Sequence, residues 1–259
     1  GDLMPTLKNP EHSHALLAEL FPHIVLNTRL TASAGLAGLE TLLVSCKFIE
    51  ERIKRLRLPS SRVRVIPNGV DTREYRPPRD SERAEVRESL GITTEQKVVV
   101  YYGHATRVRG VDCLVKSMAL VFRKIPDALL LIAESGRRTF DLRRQIRDAG
   151  IVERTILLGR VNVPRILFAA DVGVLPLASH IGAAMIPNML LEMMAAGLPV
   201  VATTVGAIPD VVTHEKTGLL VEPCSPIQLA EAIIKLLTCD AMREDLGRAA
   251  HSHVEKEYD

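Results

Sequence analysis

Tryptophan is absent from this chain, and its 259 residues include five phenylalanines and four tyrosines. A module that grips sugars by ring stacking, or a single-strand nucleic-acid platform of stacked aromatics, needs more rings than that. The four cysteines (Cys46, Cys113, Cys224, Cys239) are scattered, with no Cys-x-x-Cys pair. That spacing argues against a disulfide framework or a thiolate zinc site, and reads as reduced, mostly buried thiols in a cytoplasmic protein. No Asp-x-Asp occurs to hold a divalent metal against a diphosphate. His12/His14 and His251/His253 are spaced i, i+2, on different faces of any helix, so neither pair makes a metal site. No excess of one charge exists either: 33 Lys and Arg face 31 Asp and Glu, too balanced to argue for nucleic acid. The first five residues do not resemble a signal peptide. A membrane-spanning run is missing as well. Residues 172–209 carry a single charged side chain, Glu192, over 38 positions. Pro176, Pro187, Gly197, Pro199 and Gly206 cut that stretch into strand-length and helix-length pieces, short of the roughly 20 unbroken apolar residues a span requires. It reads as a buried interior.

What is present is a globular composition, 47% apolar and 25% charged. The length fits one large domain or two modest ones, since single domains run about 100–200 residues. Leu, Val, Ile, Ala and Met must fill the core, as in a parallel sheet packed between helices. From Lys97 onward, short β-branched runs alternate with helical patterns. Strands are expected at Val98–Tyr102, Ala128–Ala133, Thr155–Leu158, Val172–Leu175, Val200–Thr203 and Gly218–Val221. Helices are expected at Asp112–Lys124, Thr139–Ala149, Val163–Ala170 and Asn188–Ala196. Two more follow, one with Ser225 as N-cap and Pro226 at its first position, the other capped by Asp240. Such alternation predicts an α/β fold with a doubly wound parallel sheet, and its ligands belong at the carboxyl ends of the strands. The first 80 residues differ. Pro22–Leu39 reads as a helix, and Thr41–Ser45, Phe48–Leu56 and Val63–Ile66 as one βαβ unit. One unit cannot bury a sheet on both faces. Asn68–Asp80 has linker chemistry.

Several motifs then fall into register. Val63-Arg64-Val65-Ile66-Pro67-Asn68-Gly69-Val70-Asp71 resembles the hinge of glycosyltransferase family 4 (glycosyl transferases group 1), whose members have the two-domain GT-B fold. Ser45-Cys46-Lys47-Phe48 resembles the strand-to-helix step before that hinge, and Gly103–Gly110 the first loop of the C-terminal domain. Asp171–Pro176, Leu191–Thr203, Val205–Asp210 and Thr217–Val221 are similar to the family's signature runs. The resemblance covers residues 41–259 and implies a Rossmann-like C-terminal domain over 81–259. Residues 1–80 then correspond to a remnant of the N-terminal acceptor domain plus the hinge, a partial second α/β domain. Two GT-B domains need roughly 300 residues or more, so the expectation is a shortened chain that binds nucleotide weakly and turns over little alone.

The physics of the pieces can be read separately. A lone buried carboxylate costs several kcal/mol unless it is paired or hydrogen-bonded. A ribose offers two adjacent hydroxyl donors that one carboxylate accepts together. The resemblance assigns that role to Glu192; the alternative is an ion pair with an Arg or Lys. Backbone N–H groups at Asn188, Met189 and Leu190, where Pro187 can start a helix, are placed to receive a diphosphate. The loop from Gly103 to Gly110 follows a strand and precedes a helix, where backbone approaches phosphate closely. In the family an Arg follows the first Gly and a Lys precedes the second; here those positions hold His104 and Arg109. Arg109 keeps the charge and adds a fork suited to phosphate oxygens, whereas His104 is neutral for much of the physiological range. Arg107 either compensates or is an ordinary exposed Arg. The family's glutamate eight positions before Glu192, a donor-sugar contact, corresponds to Ala184.

The resulting expectation is a retaining, metal-independent glycosyltransferase of hexosyl type. Arg109 would serve as the catalytic residue, stabilising departing charge. Gly103, His104, Arg109, Asn188, Met189, Leu190 and Glu192 would bind the donor. The donor would be a UDP- or GDP-linked sugar, with no further cofactor and no metal. The acceptor would be a glycan, lipid or small molecule. The alternatives are a non-catalytic nucleotide-binding or scaffolding module on the same fold, favoured by His104 and Ala184, and a sugar-nucleotide epimerase. Residues 47–64 carry seven positive and two negative side chains. They either meet an anionic membrane at the cytoplasmic face or form a solvated amphipathic helix with Phe48, Ile49, Ile53 and Leu56 turned inward.

Overall fold

The computed structural model describes residues 42–54, 63–134, 139–179 and 185–259. The Pro22–Leu39 helix, His12/His14, Ala184 and residues 55–62 of the basic run lie outside these. The first unit is strand β1 (Leu42–Val44), helix α1 (Lys47–Lys54) and strand β2 (Val63–Val65). β1 and β2 pair in parallel from Leu42↔Val63 to Val44↔Val65, the expected βαβ unit. Of its inward set, Ile49 is buried and Phe48 packs on the core. A linker of turns (residues 66–79) leads to helix α2 (Asp80–Ser89). Then come β3 (Lys97–Tyr102), α3 (Val111–Lys124), β4 (Ala128–Ala133), α4 (Thr139–Asp148), β5 (Thr155–Leu158) and α5 (Val163–Leu167). The chain continues as β6 (Val172–Leu175), α6 (Asn188–Ala195), β7 (Val200–Thr203), α7 (Ile208–Val211) and β8 (Leu219–Val221). It closes with α8 (Pro226–Thr238) and α9 (Asp240–Glu257).

All six strands of the larger sheet are parallel, in the order β5-β4-β3-β6-β7-β8. The chain winds outward from β3 to one edge, returns to the middle at β6 and winds to the other edge. With right-handed crossovers this places the crossover helices of the two halves on opposite faces of the sheet. Accordingly α3 packs against α4 and α8, while α6 packs against α9. Strands buried on both faces need continuous apolar runs rather than alternation. Val98, Val99, Val100, Leu130, Leu131, Ile132, Val174, Val200 and Val201 are all fully buried. The apolar stretch from 172 to 209 is this interior, and no described helix is long and apolar enough to cross a membrane.

Three expectations need correction. Asp240 does not cap α9: the capping position is Cys239, and Asp240, the first helical residue, instead pairs with Arg243 and Lys97. Only Cys46 and Cys113 are buried, whereas Cys224 and Cys239 are exposed, because the latter two lie in turns that enter α8 and α9. Helix α5 stops at Leu167, three residues early, because the amides of Phe168, Ala169 and Ala170 turn to i−3 carbonyls. Ser225 does cap α8, accepting from the Gln228 N–H, with Pro226 next.

A buried charge cluster fixes the end of the sheet away from the crevice. Asp171, just before β6, accepts from Arg83 Nη2 at 2.7 Å, Arg87 Nη1 at 3.5 Å and the Val98 N–H at 2.7 Å. Arg87, 5% exposed, also donates to the carbonyls of Ala169, Thr93 and Gln96. A buried guanidinium is tolerated only when its charge is met in this way; here both terminal nitrogens are bonded, while the buried Nε has no partner.

Candidate nucleotide site at the switch point

The strand order reverses between β3 and β6, and in open α/β sheets the crevice beyond that reversal is where ligands bind. Two loops frame it: Gly103–Gly110 after β3, and the segment from Pro176 after β6. They are locked together. Ala178 N–H donates to the Val108 carbonyl at 2.9 Å, and Thr203 Oγ1 to the Leu177 carbonyl at 2.8 Å. Gly110 has φ +69°, and a Cβ there would lie 1.7 Å from the Pro176 carbonyl oxygen, so no side chain fits. Helix α6 is drawn down onto β6 by Gly173, where a Cβ would meet Met193 Sδ at 2.7 Å.

Glu192 projects from α6 into this crevice, half-buried. Its Oε2 accepts from the Tyr102 hydroxyl at 2.5 Å, and that hydroxyl also lies 3.1 Å from the Met189 carbonyl. Tyr75, from the linker, couples electrostatically to the same carboxylate. Among the described residues no Lys or Arg pairs with Glu192, so the ion-pair alternative finds no partner there. Burial raises its carboxyl pKa, the Tyr102 hydroxyl opposes that, and the Glu74 charge adds to it. Burial and the Glu192 charge push the Tyr75 hydroxyl up to about 12 and the Tyr102 hydroxyl well above its ordinary value. A carboxylate has about four acceptor positions. The one tyrosine hydroxyl bound to it leaves room for at least two more donors.

The other predicted residues are arranged around it. Arg109 is half-buried, its Nη1 resting 4.0 Å from Met189 Sδ, with no carboxylate partner among the described residues. Gly103, just after β3, has φ +125°, its open side facing Met189 Sδ and the Tyr101 hydroxyl. Asn188 and Met189 are the first two residues of α6, so their amides have no intrahelical carbonyl to reach. The Leu190 amide is different: it donates to the Pro187 carbonyl at 2.9 Å, and its side chain is fully buried. That removes it from the set of free donors. His104 is exposed; its carbonyl accepts from the Tyr101 hydroxyl. Arg107 is exposed. Among the described residues no three His, Cys, Asp or Glu side chains converge.

The linker, whose contacts the sequence did not reveal, runs the length of α6. Asn68 Nδ2 donates to Asn188 Oδ1 at 2.6 Å and to the Ile186 carbonyl at 3.2 Å. Tyr75 couples electrostatically to Glu192 mid-helix. Pro77 closes on Gly197, where a Cβ would lie 3.0 Å from its Cγ. Nearby, the first βαβ unit abuts α7 and the end of α9. Asp210 Oδ2 accepts from the Phe48 N–H at 2.8 Å, and a cleft of about 210 Å³ separates Cys46, Lys47 and Pro67 from Ile186, Asp210 and Tyr258.

A doubly wound sheet with an acidic helix and a glycine loop at its switch point defines a Rossmann-like, nucleotide-binding type of domain. Residues 82–253 match the profile of the family described as glycosyl transferases group 1, and the chain belongs to that family. It is 34% identical over 199 residues to a GDP-mannose-dependent monoacylated alpha-(1-6)-phosphatidylinositol monomannoside mannosyltransferase from Corynebacterium glutamicum, covering 74% of this chain and 51% of that protein. It is 30% identical over 213 residues to a D-inositol 3-phosphate glycosyltransferase from Paenarthrobacter aurescens, covering 80% and 50%. The chain thus spans about half the length of these curated relatives. Among solved structures, Anabaena HepE in complex with UDP superposes with a TM-score of 0.80 at 19% identity, over 89% of this chain and 63% of that one. The C-terminal domain of a group 1 glycosyl transferase from Francisella tularensis matches with a TM-score of 0.64 at 22% identity, over 74% of this chain and 99% of that one. The fold is of the GT-B type.

Proposed function

We propose that this chain carries the donor-binding half of a retaining glycosyltransferase that uses a UDP- or GDP-linked sugar. The observation that carries this reading is Glu192: a half-buried carboxylate at the switch point with no cation among the described residues to neutralise it. Two ribose hydroxyls supply the donors such a group lacks. The free amides of Asn188 and Met189 take the diphosphate at the helix N-terminus, and Arg109 neutralises it across the loop. As the bond to the sugar breaks, negative charge grows on the leaving diphosphate, and these groups meet it without rearrangement. The β-phosphate of the leaving group would then be the base. No Asp-x-Asp is present to hold a metal against it, so the charge work is assigned to Arg109 and the helix.

The names of the relatives point to the acceptor side. The Corynebacterium and Paenarthrobacter proteins are named for phosphatidylinositol mannoside and inositol 3-phosphate substrates. An anionic, hydroxyl-rich acceptor is therefore the class we assign, with catalysis at the cytoplasmic face of a membrane when that acceptor is a lipid. We divide the chain at residue 80, with 1–80 belonging to the acceptor domain and hinge and 81–259 to the donor domain. With Ala184 in place of the family's glutamate, sugar recognition is altered or supplied elsewhere. Calorimetry with UDP, GDP and ADP tests the reading. Binding of UDP or GDP in preference to ADP supports it; no heat with any of the three refutes it in favour of a scaffolding module.

A further inference from the structure

We propose that Tyr102 is a positioning residue of the nucleotide site, aiming the Glu192 carboxylate so that its unused acceptor positions face a ribose. This rests on the assignment of Glu192 as the ribose acceptor. Tyr102 is the last residue of β3 and is 7% exposed, so its ring is fixed by the core. Its hydroxyl lies 2.5 Å from Glu192 Oε2, a charge-assisted distance, and 3.1 Å from the Met189 carbonyl. One hydroxyl has one proton, so the ionised carboxylate takes it. Tyr75 comes from the linker, between the Asn68–Asn188 contact at the start of α6 and the Pro77–Gly197 contact at its end.

An unrestrained glutamate samples several rotamers and pays entropy to meet its ligand. A carboxylate already held by the Tyr102 hydroxyl pays less of it. That hydroxyl also favours the ionised form, the one that accepts from two further hydroxyls. Burial and the neighbouring Glu74 raise its pKa, and the two tyrosines oppose them. Arg109 meets Met189 from the glycine loop, and His251 of α9 bonds the Ala195 carbonyl at the far end of α6. The linker, held to the start of α6 by Asn68 and to its end by Pro77, lies along the helix that carries Glu192.

Calorimetry separates positioning from mere packing if each protein is titrated with the nucleotide it binds, GDP or UDP, and with the 2′,3′-dideoxy form. Tyr102→Phe keeps the ring and removes only the hydroxyl. The expected result is about tenfold weaker binding of the ribonucleotide, with affinity for the dideoxynucleotide unchanged. The fall in affinity on acidification also begins at a higher pH, because Glu192 has lost a donor that favours its ionised form. Equal losses for both nucleotides overturn the positioning role, as do unchanged affinities. Glu192→Gln is the internal reference. If it binds the ribonucleotide as the wild type does, the ribose assignment itself falls, whatever the tyrosine variant shows.

Discussion

Removing the Asp171 carboxylate is the most severe test of how the sheet is held. In Asp171→Ala the Val98 N–H, Arg83 Nη2 and Arg87 Nη1 lose their common acceptor at once. Arg83 is about a third exposed, so water replaces much of its loss. Arg87 has no such recourse. Its side chain is 6% exposed, and burial already pushes its pKa down while Asp171 opposes that push. Breaking a buried pair from one side costs about 3–5 kcal/mol, because the other charge stays behind unpaired. The carbonyls of Ala169, Thr93 and Gln96 still hold the guanidinium, which favours the lower end. For a unit of this size each kcal/mol is worth about 2–4 °C in Tm, so a drop of roughly 10 °C is expected. Urea unfolding followed by circular dichroism reads it directly. Asp171→Ala/Arg87→Met should recover much of the loss, since the stranded charge is gone. A cost below about 1 kcal/mol for Asp171→Ala, or no recovery in the double variant, refutes the reasoning.

Two further outcomes follow from named contacts. Glu82 takes both guanidinium nitrogens of Arg76 and the Arg79 N–H, and its carboxyl is held down at about 2. A depressed carboxyl pKa contributes stability that is complete above the ordinary value of 4.5 and is lost as pH falls toward 2. A carbon-detected NMR titration should find Glu82 still ionised at pH 3, and a midpoint near 4.5 would contradict the pairing. Gly110→Ala forces a Cβ into the Pro176 carbonyl at a positive φ and should cost about 1–3 kcal/mol while weakening nucleotide binding. An unchanged nucleotide affinity in that variant would show that the two loops do not share one site.

Most of the sheet was legible because each strand of a doubly covered sheet is a short run of β-branched or aliphatic residues. Val98–Val100 and Leu129–Ile132 are of that kind. Their boundaries fell within a residue or two because Gly103, Pro126, Pro176 and Pro199 punctuate them. Glu192 stood out for the opposite reason, as one charge in a 38-residue apolar stretch. What stayed hidden depends on distance along the chain. Asp171 meets Arg83 and Arg87 across more than 80 positions, and Asn68 meets Asn188 across 120. No local pattern encodes such a pair. In sequence Tyr102 reads only as the end of a strand; the docking of α6 on β6 brings its hydroxyl to Glu192. The Leu190 amide looked free because a helix start was in place, yet the turn that begins the helix uses it. Asp240 looked like a cap because the residue type suits one, but Arg243 and Lys97 draw its side chain elsewhere.

The central claim is that Glu192 is the group that holds the nucleotide. Calorimetric titration of wild type and Glu192→Ala with GDP and UDP, at matched pH and with intact folding checked by circular dichroism, tests it most directly. Two hydrogen bonds to a charged group imply at least tenfold weaker binding in the variant; equal affinity in the two proteins would contradict the account.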